Sequence, residues 1–241
     1  MLTKNCEPLH NNFRNRTMNN KKGVVLACGD SIKEYAQENF EDAYVIGVND
    51  AWHVHKELNG KAPRLDLVMV QDPAHHGMAK KPWILNETPK DIPLRFINAS
   101  WEKYAKPRGN YEIVRSDIHA SSYEKFALAK KMGIRLHGNT SVVAAILTLM
   151  LDGIYDVYVY GHDCSPEYVR SKSFTEKAFK ELNFLQTIAE KHGGSVYLAG
   201  SSWLWNYKHP EGKELAVKKA EVQVKAKPKR SRKKKIEDIQ D

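Results

Sequence analysis

Cysteine is scarce in this chain: only Cys6, Cys28 and Cys164 occur, an odd number without metal-ligand spacing. Neither a disulfide framework nor a zinc cluster is suggested, and a reducing, cytoplasmic setting is expected. Long apolar runs are missing too, since no stretch approaches the roughly 18 residues that a membrane-spanning helix needs. The N-terminus, with Asn11, Asn12, Arg14, Asn19 and Asn20, lacks the apolar segment of a secretory signal, so no membrane insertion is expected. Two phosphate-binding signatures are also absent. There is no GxGxxG, and no GxxxxGK followed by Ser or Thr, which removes support for a dinucleotide fingerprint or a P-loop. The tandem pair His75-His76 has no Cys or carboxylate at ligand spacing, and no metal site is expected.

What the chain does have is an α/β pattern. Its 241 residues, 41% hydrophobic and 28% charged, hold enough apolar side chain for one well-packed domain. The centre of that pattern is residues 138–164. Asn139, Thr140 or Ser141 can cap a helix start, and Val142 to Leu151 is almost wholly apolar, so a helix there must be covered on both faces. Asp152-Gly153 stops it, and Tyr155 to Tyr160 supplies a β-branched and aromatic strand. Gly161-His162-Asp163 then follows, at the place where such a strand delivers side chains into a crevice.

Earlier in the chain three more strands end in polar residues. Gly23 to Cys28 breaks at Gly29-Asp30-Ser31 into a helical stretch from Ile32 to Phe40; Tyr44 to Val48 ends at Asn49-Asp50 before a helix from Trp52 to Leu58; Leu65 to Gln71 ends at Asp72-Pro73. In an open parallel sheet these ends share one edge, where ligands bind. A strand, a glycine turn and a helix start at Ser31 would also point backbone N–H groups at an anion. Residues 73–133, with Pro82, Trp83, Pro89 and Pro93, read as an irregular lid or acceptor region holding a short strand from Leu94 to Asn98 and a helix from Tyr123 to Lys131. Beyond the centre, Phe174 to Lys191 has helical periodicity and Ser195 to Leu198 reads as the last strand. The expected architecture is a single Rossmann-like, open, mostly parallel sheet with helices on both faces over residues 22–207, preceded by a flexible segment 1–21.

Charge is concentrated at the end. Residues 208–241 carry 12 Lys/Arg and 6 Asp/Glu, a net +6 of the chain's +9. The densest part, KAKPKRSRKKK, sets Lys225, Lys227, Lys229, Arg230, Arg232, Lys233, Lys234 and Lys235 close together with no apolar residue larger than alanine. Such a segment cannot bury enough surface to fold alone, so 208–241 is expected to be a disordered basic tail. Eight clustered cations suit a polyphosphate chain through counterion release, and a nuclear-import signal has the same composition.

The order of these motifs resembles the bacterial sialyltransferase superfamily and its wider relatives, the motility-associated glycosyltransferases and the archaeal-type 6-hydroxymethylpterin pyrophosphokinases. VVLACGDSIKE at 24–34, VIGVNDAW at 45–52, QDP at 71–73, GNTSVVAAILTLMLDGIYDVYVYGHD at 138–163 and SVYLAGSSWL at 195–204 carry it. The resemblance implies a metal-independent transferase in which Mg²⁺ is optional. It also implies a CMP- or UDP-sugar as co-substrate with no tightly bound cofactor, held by Gly29, Ser31, Asn49, Asn139, Thr140, Ser141, Gly161 and Asp163; Asp30 and Asp50 join the candidates from their places at the strand ends, although Asp30 stands where the family has a Gly-Pro-Ser-like turn. The family's general-base histidine follows the central strand, yet residues 164–175 contain no histidine. His162, Asp72 and His75 stand as candidates for the base. Joined to the basic tail, this suggests glycosyl transfer to a hydroxylated base in DNA, as some bacteriophage enzymes perform. A magnesium-dependent pyrophosphokinase, with Asp72 and Asp163 converging on the metal, is the alternative enzyme, and a non-catalytic nucleotide- or nucleic-acid-binding protein is the third reading.

Overall fold

Short runs of Val, Ile, Leu and Tyr, each too short to bury itself alone, pair side by side into one sheet. In this computed structural model, which describes residues 21–71, 74, 83–97, 99–113, 141–165 and 172–221, they form eight strands. These are β1 (Lys22–Leu26), β2 (Tyr44–Val48), β3 (Leu67–Val70), β4 (Leu94–Phe96), β5 (Tyr111–Ile113), β6 (Asp156–Tyr160), β7 (Ser195–Leu198) and β8 (Lys218–Lys219). Their order is β5-β4-β3-β2-β1-β6-β7-β8, and every neighbouring pair is parallel. The expected mostly parallel sheet is therefore parallel throughout. Because the chain moves outward from β1 in one direction and then restarts beside it at β6, the carboxyl ends of β1 and β6 form a topological switch point.

Three longer helices supply the layers: α1 (Ala51–Asn59), α2 (Ser141–Leu151) and α3 (Lys172–Lys191). Helix α2 is buried from Val142 to Met150 because it lies between the sheet and α3. Each Leu, Ile or Val so covered contributes roughly 1.5–3 kcal/mol relative to exposure. Helix α1 and the turns around Ile32, Tyr35 and Phe40 cover the other face. In a parallel unit the helix runs back against the strand it feeds, so α2 starts at Ser141 over the carboxyl edge and ends at Leu151, after which the Ile154 N–H donates to the Leu149 carbonyl at 3.0 Å.

Three expectations change. The stretch 32–40 is two turns of 3-10 helix, Asp30–Glu34 and Gln37–Asn39, with no side-chain cap at either start, so no helix dipole is aimed from Ser31. The described part of 73–133 is less irregular than expected, for β4 and β5 extend the sheet. The Arg108 guanidinium ties residues 85–92 down by donating to the carbonyls of Leu85, Thr88, Pro89 and Ile92. The segment read as tail begins inside the sheet: His209, Val217 and Ala220 are buried, and β8 pairs with β7. Short apolar spacing, Val217 and Ala220 among lysines, hid that strand. The expected helix 123–131 and the basic run 225–235 lie outside the described residues.

Candidate functional site

The carboxyl edge at the switch point is laced together by its own loops. Past β1, the Ala27 N–H donates to the Tyr160 carbonyl at 2.8 Å and the Gly29 N–H to the Gly161 carbonyl at 2.8 Å, extending the pairing beyond both strands. Ser31, buried despite its hydroxyl, then crosses to the β6 loop. Its N–H donates to Asp163 Oδ2 at 2.9 Å, its hydroxyl donates to Asp163 Oδ1, and its Oγ accepts the Gly161 N–H at 2.9 Å. Gly161 is required for this: its φ is +75°, and a Cβ there would lie 2.6 Å from the Ala27 carbonyl carbon. A Cβ on Gly29 would come within 2.7 Å of the Gly161 carbonyl oxygen and fall on the Asp163 carboxylate. The space beside Gly29, expected to admit a ligand, is thus filled by Asp163.

Two further links continue the lacing. On the β2 side, the Cys28 thiol donates to Asp50 Oδ1 at 3.0 Å. On the β7 side, Glu34 accepts the Gly200 N–H at 2.8 Å and the Ser201 N–H at 2.7 Å. Glu34 escaped the sequence reading because it carries no motif; only the lateral position of β7 brings residue 200 to it. Asp30, expected at the ligand, is exposed and pairs with Lys33 at 3.9 Å.

Asn49 differs from these saturated groups. It sits at φ +56°, a left-handed position that Asn tolerates better than most residues, and its N–H is held by the Met69 carbonyl at 2.9 Å. Its side-chain Oδ1 is buried and lacks a hydrogen-bond partner. A buried amide oxygen left so is costly unless a donor from a ligand completes it. Ser141, half-buried at the start of α2, lies over the same edge.

His162 does not face this crevice. It is 5% exposed, its backbone carbonyl accepts the Ser202 hydroxyl at 2.9 Å, and both ring nitrogens lie 3.7–3.8 Å from Cys164 Sγ. Burial pushes its pKa down to about 4, keeping the imidazole neutral, and pushes the Cys164 thiol up to about 12, keeping it inert. An acceptor hydroxyl cannot reach a ring enclosed in this way, so His162 is corrected from base to core. The cause is Gly161: its turn sends residue 162 inward and residue 163 toward Ser31. Asp163 has its carboxyl pKa raised, first by burial, with Asp30 and Glu34 adding to the effect and the Ser31 bonds opposing it. Asp72, His75, Asn139 and Thr140 lie outside the described residues. Among the described residues no group of three His, Cys, Asp or Glu is placed to hold a metal ion, and no helix is long and apolar enough to cross a membrane.

No family model matches the chain, and no curated protein matches it. Among solved structures it is similar to the sialyltransferase CstII from Campylobacter jejuni in complex with a substrate analogue, cytidine-5'-monophosphate. The identity is 18%, 81% of this chain and 86% of that one are covered, and the TM-score is 0.49. It is also similar to the sialyltransferase CST-II in complex with a trisaccharide acceptor and CMP, at 16% identity over 83% of this chain and 91% of that one, with a TM-score of 0.48.

Proposed function

We propose that the chain is a nucleotide-sugar glycosyltransferase whose donor lies along the carboxyl edge of β1, β2 and β6, with the nucleotide against Asn49. The observation that carries this reading is the buried, partnerless Asn49 Oδ1 beside a switch point. An amino or hydroxyl group of a nucleoside would satisfy it. The start of α2 at Ser141 would supply backbone N–H groups and dipole to the departing phosphate. Gly29, Ser31, Gly161 and Asp163 hold the floor of the site in this reading, and Asp50 braces it through Cys28. With His162 enclosed, the general base falls to Asp72 or His75, which follow β3 in the sequence.

For the acceptor, the reading favoured by the cation run 225–235 is a hydroxylated base in DNA, held through sequence-independent phosphate contacts. The pyrophosphokinase alternative asks Asp163 to hold Mg²⁺, yet both of its oxygens are bonded to Ser31, so it loses one of the two carboxylates it needs. Saturation-transfer NMR with CMP-, UDP- and GDP-sugars tests the donor. Contact with one nucleotide that disappears in Asn49→Ala is expected, and no contact with any of them overturns the reading. Sugar transfer to hydroxymethylated but not plain duplex, weakened when the eight cations of 225–235 become Gln, tests the acceptor.

A further inference from the structure

On one side of the sheet the turns around Tyr35 and Phe40 cover β6, with the Phe40 ring 5.0 Å from that of Tyr158, and the face beyond them, toward β7 and β8, is left open by the described helices. Helices α2 and α3 bury their side chains against the opposite face, and α1 packs on β2 and the Asp30–Glu34 turn. Into this face opens a cleft of about 470 Å³. Register places Tyr158 beside Val24, Tyr197 beside Tyr158 and Lys218 beside Tyr197, so these side chains stand in one row across four strands. The two tyrosine rings stack at 4.4 Å and 7°. Lys22 Nζ lies 5.5 Å from the Tyr158 ring centre, and Lys218 Nζ lies 5.7 Å from that of Tyr197. The result is a ladder of ammonium, ring, ring and ammonium, with Lys219 at the same cleft.

Two carboxylates also line it, and they do not cancel these charges equally. Glu34 is committed to the N–H groups of Gly200 and Ser201, whereas Glu221 stands at the rim. Burial pushes the Tyr158 hydroxyl up to about 12, with Tyr197, Asp156 and Glu221 adding to the effect, so the Tyr158 ring stays neutral beside an anion. Glu221, the last described residue, lines the cleft, and Lys225, the first cation of the run 225–235, follows four residues later in the sequence.

We propose that this cleft binds single-stranded nucleic acid, with Lys22, Lys218 and Lys219 on backbone phosphates and an unpaired base stacked on the Tyr158–Tyr197 pair. Phe40 packs against Tyr158 from the β1 side, so the base enters at the other end: Lys218 exchanges its ring for a phosphate, which uncovers the outer face of Tyr197 that the base then occupies. Aromatic rings bordered by lysines suit a strand whose bases are free, because a duplex offers phosphates but no open base face. This site lies on the face of the sheet and does not depend on the sugar-transfer reading.

The test uses the full chain with its tail. Ultraviolet cross-linking to a twelve-residue oligothymidine, mapped by mass spectrometry, is expected to mark Tyr158 and Tyr197. In anisotropy titrations over a salt series, Lys22→Ala/Lys218→Ala/Lys219→Ala is expected to weaken binding about tenfold or more and to lower the salt slope by about two to three. Tyr197→Leu, which leaves the charges in place, is expected to weaken binding about fivefold or more without changing the slope. Cross-links confined to residues 225–235, or a triple variant that binds like the parent, would overturn the proposal. Equal affinity for duplex, or a heparin fragment binding with the same lysine dependence while Tyr197→Leu is silent, would reduce the cleft to a bare anion site and overturn it as well. Loss of sugar transfer alone would leave these outcomes untouched.

Discussion

The crevice at the carboxyl ends of β1 and β6 and the cleft on the face of β6, β7 and β8 are both rich in polar groups, yet they treat them oppositely. In the crevice Ser31, Asp163, Glu34 and three glycine N–H groups spend their hydrogen bonds on one another. On the face, the Lys22 and Lys218 ammonium groups rest on aromatic rings and can leave them at little cost. Polar residues saturated within the protein shape a site, and those held loosely toward solvent are free to receive a ligand. Asn49 departs from the pattern of the crevice, being built in and yet partnerless at Oδ1.

The strongest way to break this contrast is to disturb the lacing. Gly161→Ala must place a Cβ on the Ala27 carbonyl at a left-handed φ, and a loss of about 3–4 kcal/mol in denaturant unfolding is expected. A loss below about 1 kcal/mol would show that the two loops are not locked.

Next in size is a pH effect. His162 has its pKa depressed to about 4 in the fold against an unfolded value near 6.5, so between those values the unfolded chain binds the extra proton. Its contribution is fully present above about pH 6.5 and is lost as pH falls toward 4, amounting to roughly 2 kcal/mol between pH 7 and pH 5. Unfolding followed across that range, with His162→Gln as the flat comparison, measures it. Identical slopes for the two proteins would place His162 in water.

Smaller still is the expected effect of Asn49 on stability. Asn49→Gly keeps the left-handed backbone, so stability should change by less than about 1 kcal/mol while nucleotide affinity falls about tenfold. A large stability loss with unchanged affinity would return Asn49 to the structural group. Least of all, Lys218→Ala should shift stability by no more than about 0.5–1 kcal/mol, because an exposed cation over a ring is worth no more than that. A larger loss in thermal unfolding would make the ladder a structural brace.

Much of the frame was legible in the sequence. Tyr44–Val48 and Ser195–Leu198 fall where their β-branched and aromatic runs lie, and α2 begins one residue before its apolar run. Periodicity is local, and a buried strand or helix writes it into consecutive residues. The gathering of Gly29, Ser31, Gly161 and Asp163 at one edge was also readable, because parallel strands must end together. Lateral order and side-chain direction were not. Ser31 reads as a helix cap by its neighbours and becomes a tie to Asp163 only because β6 lies next to β1. His162 and Asp163 are adjacent letters that one glycine turn sends to opposite places, core and crevice. The ladder of Lys22, Tyr158, Tyr197 and Lys218 comes from four separate strands, two of its members in a segment that composition assigned to core strands and one in a segment it assigned to a tail. Local propensity acts between neighbours in the chain, whereas these contacts arise when strands distant in sequence are set about 4.8 Å apart by backbone hydrogen bonds.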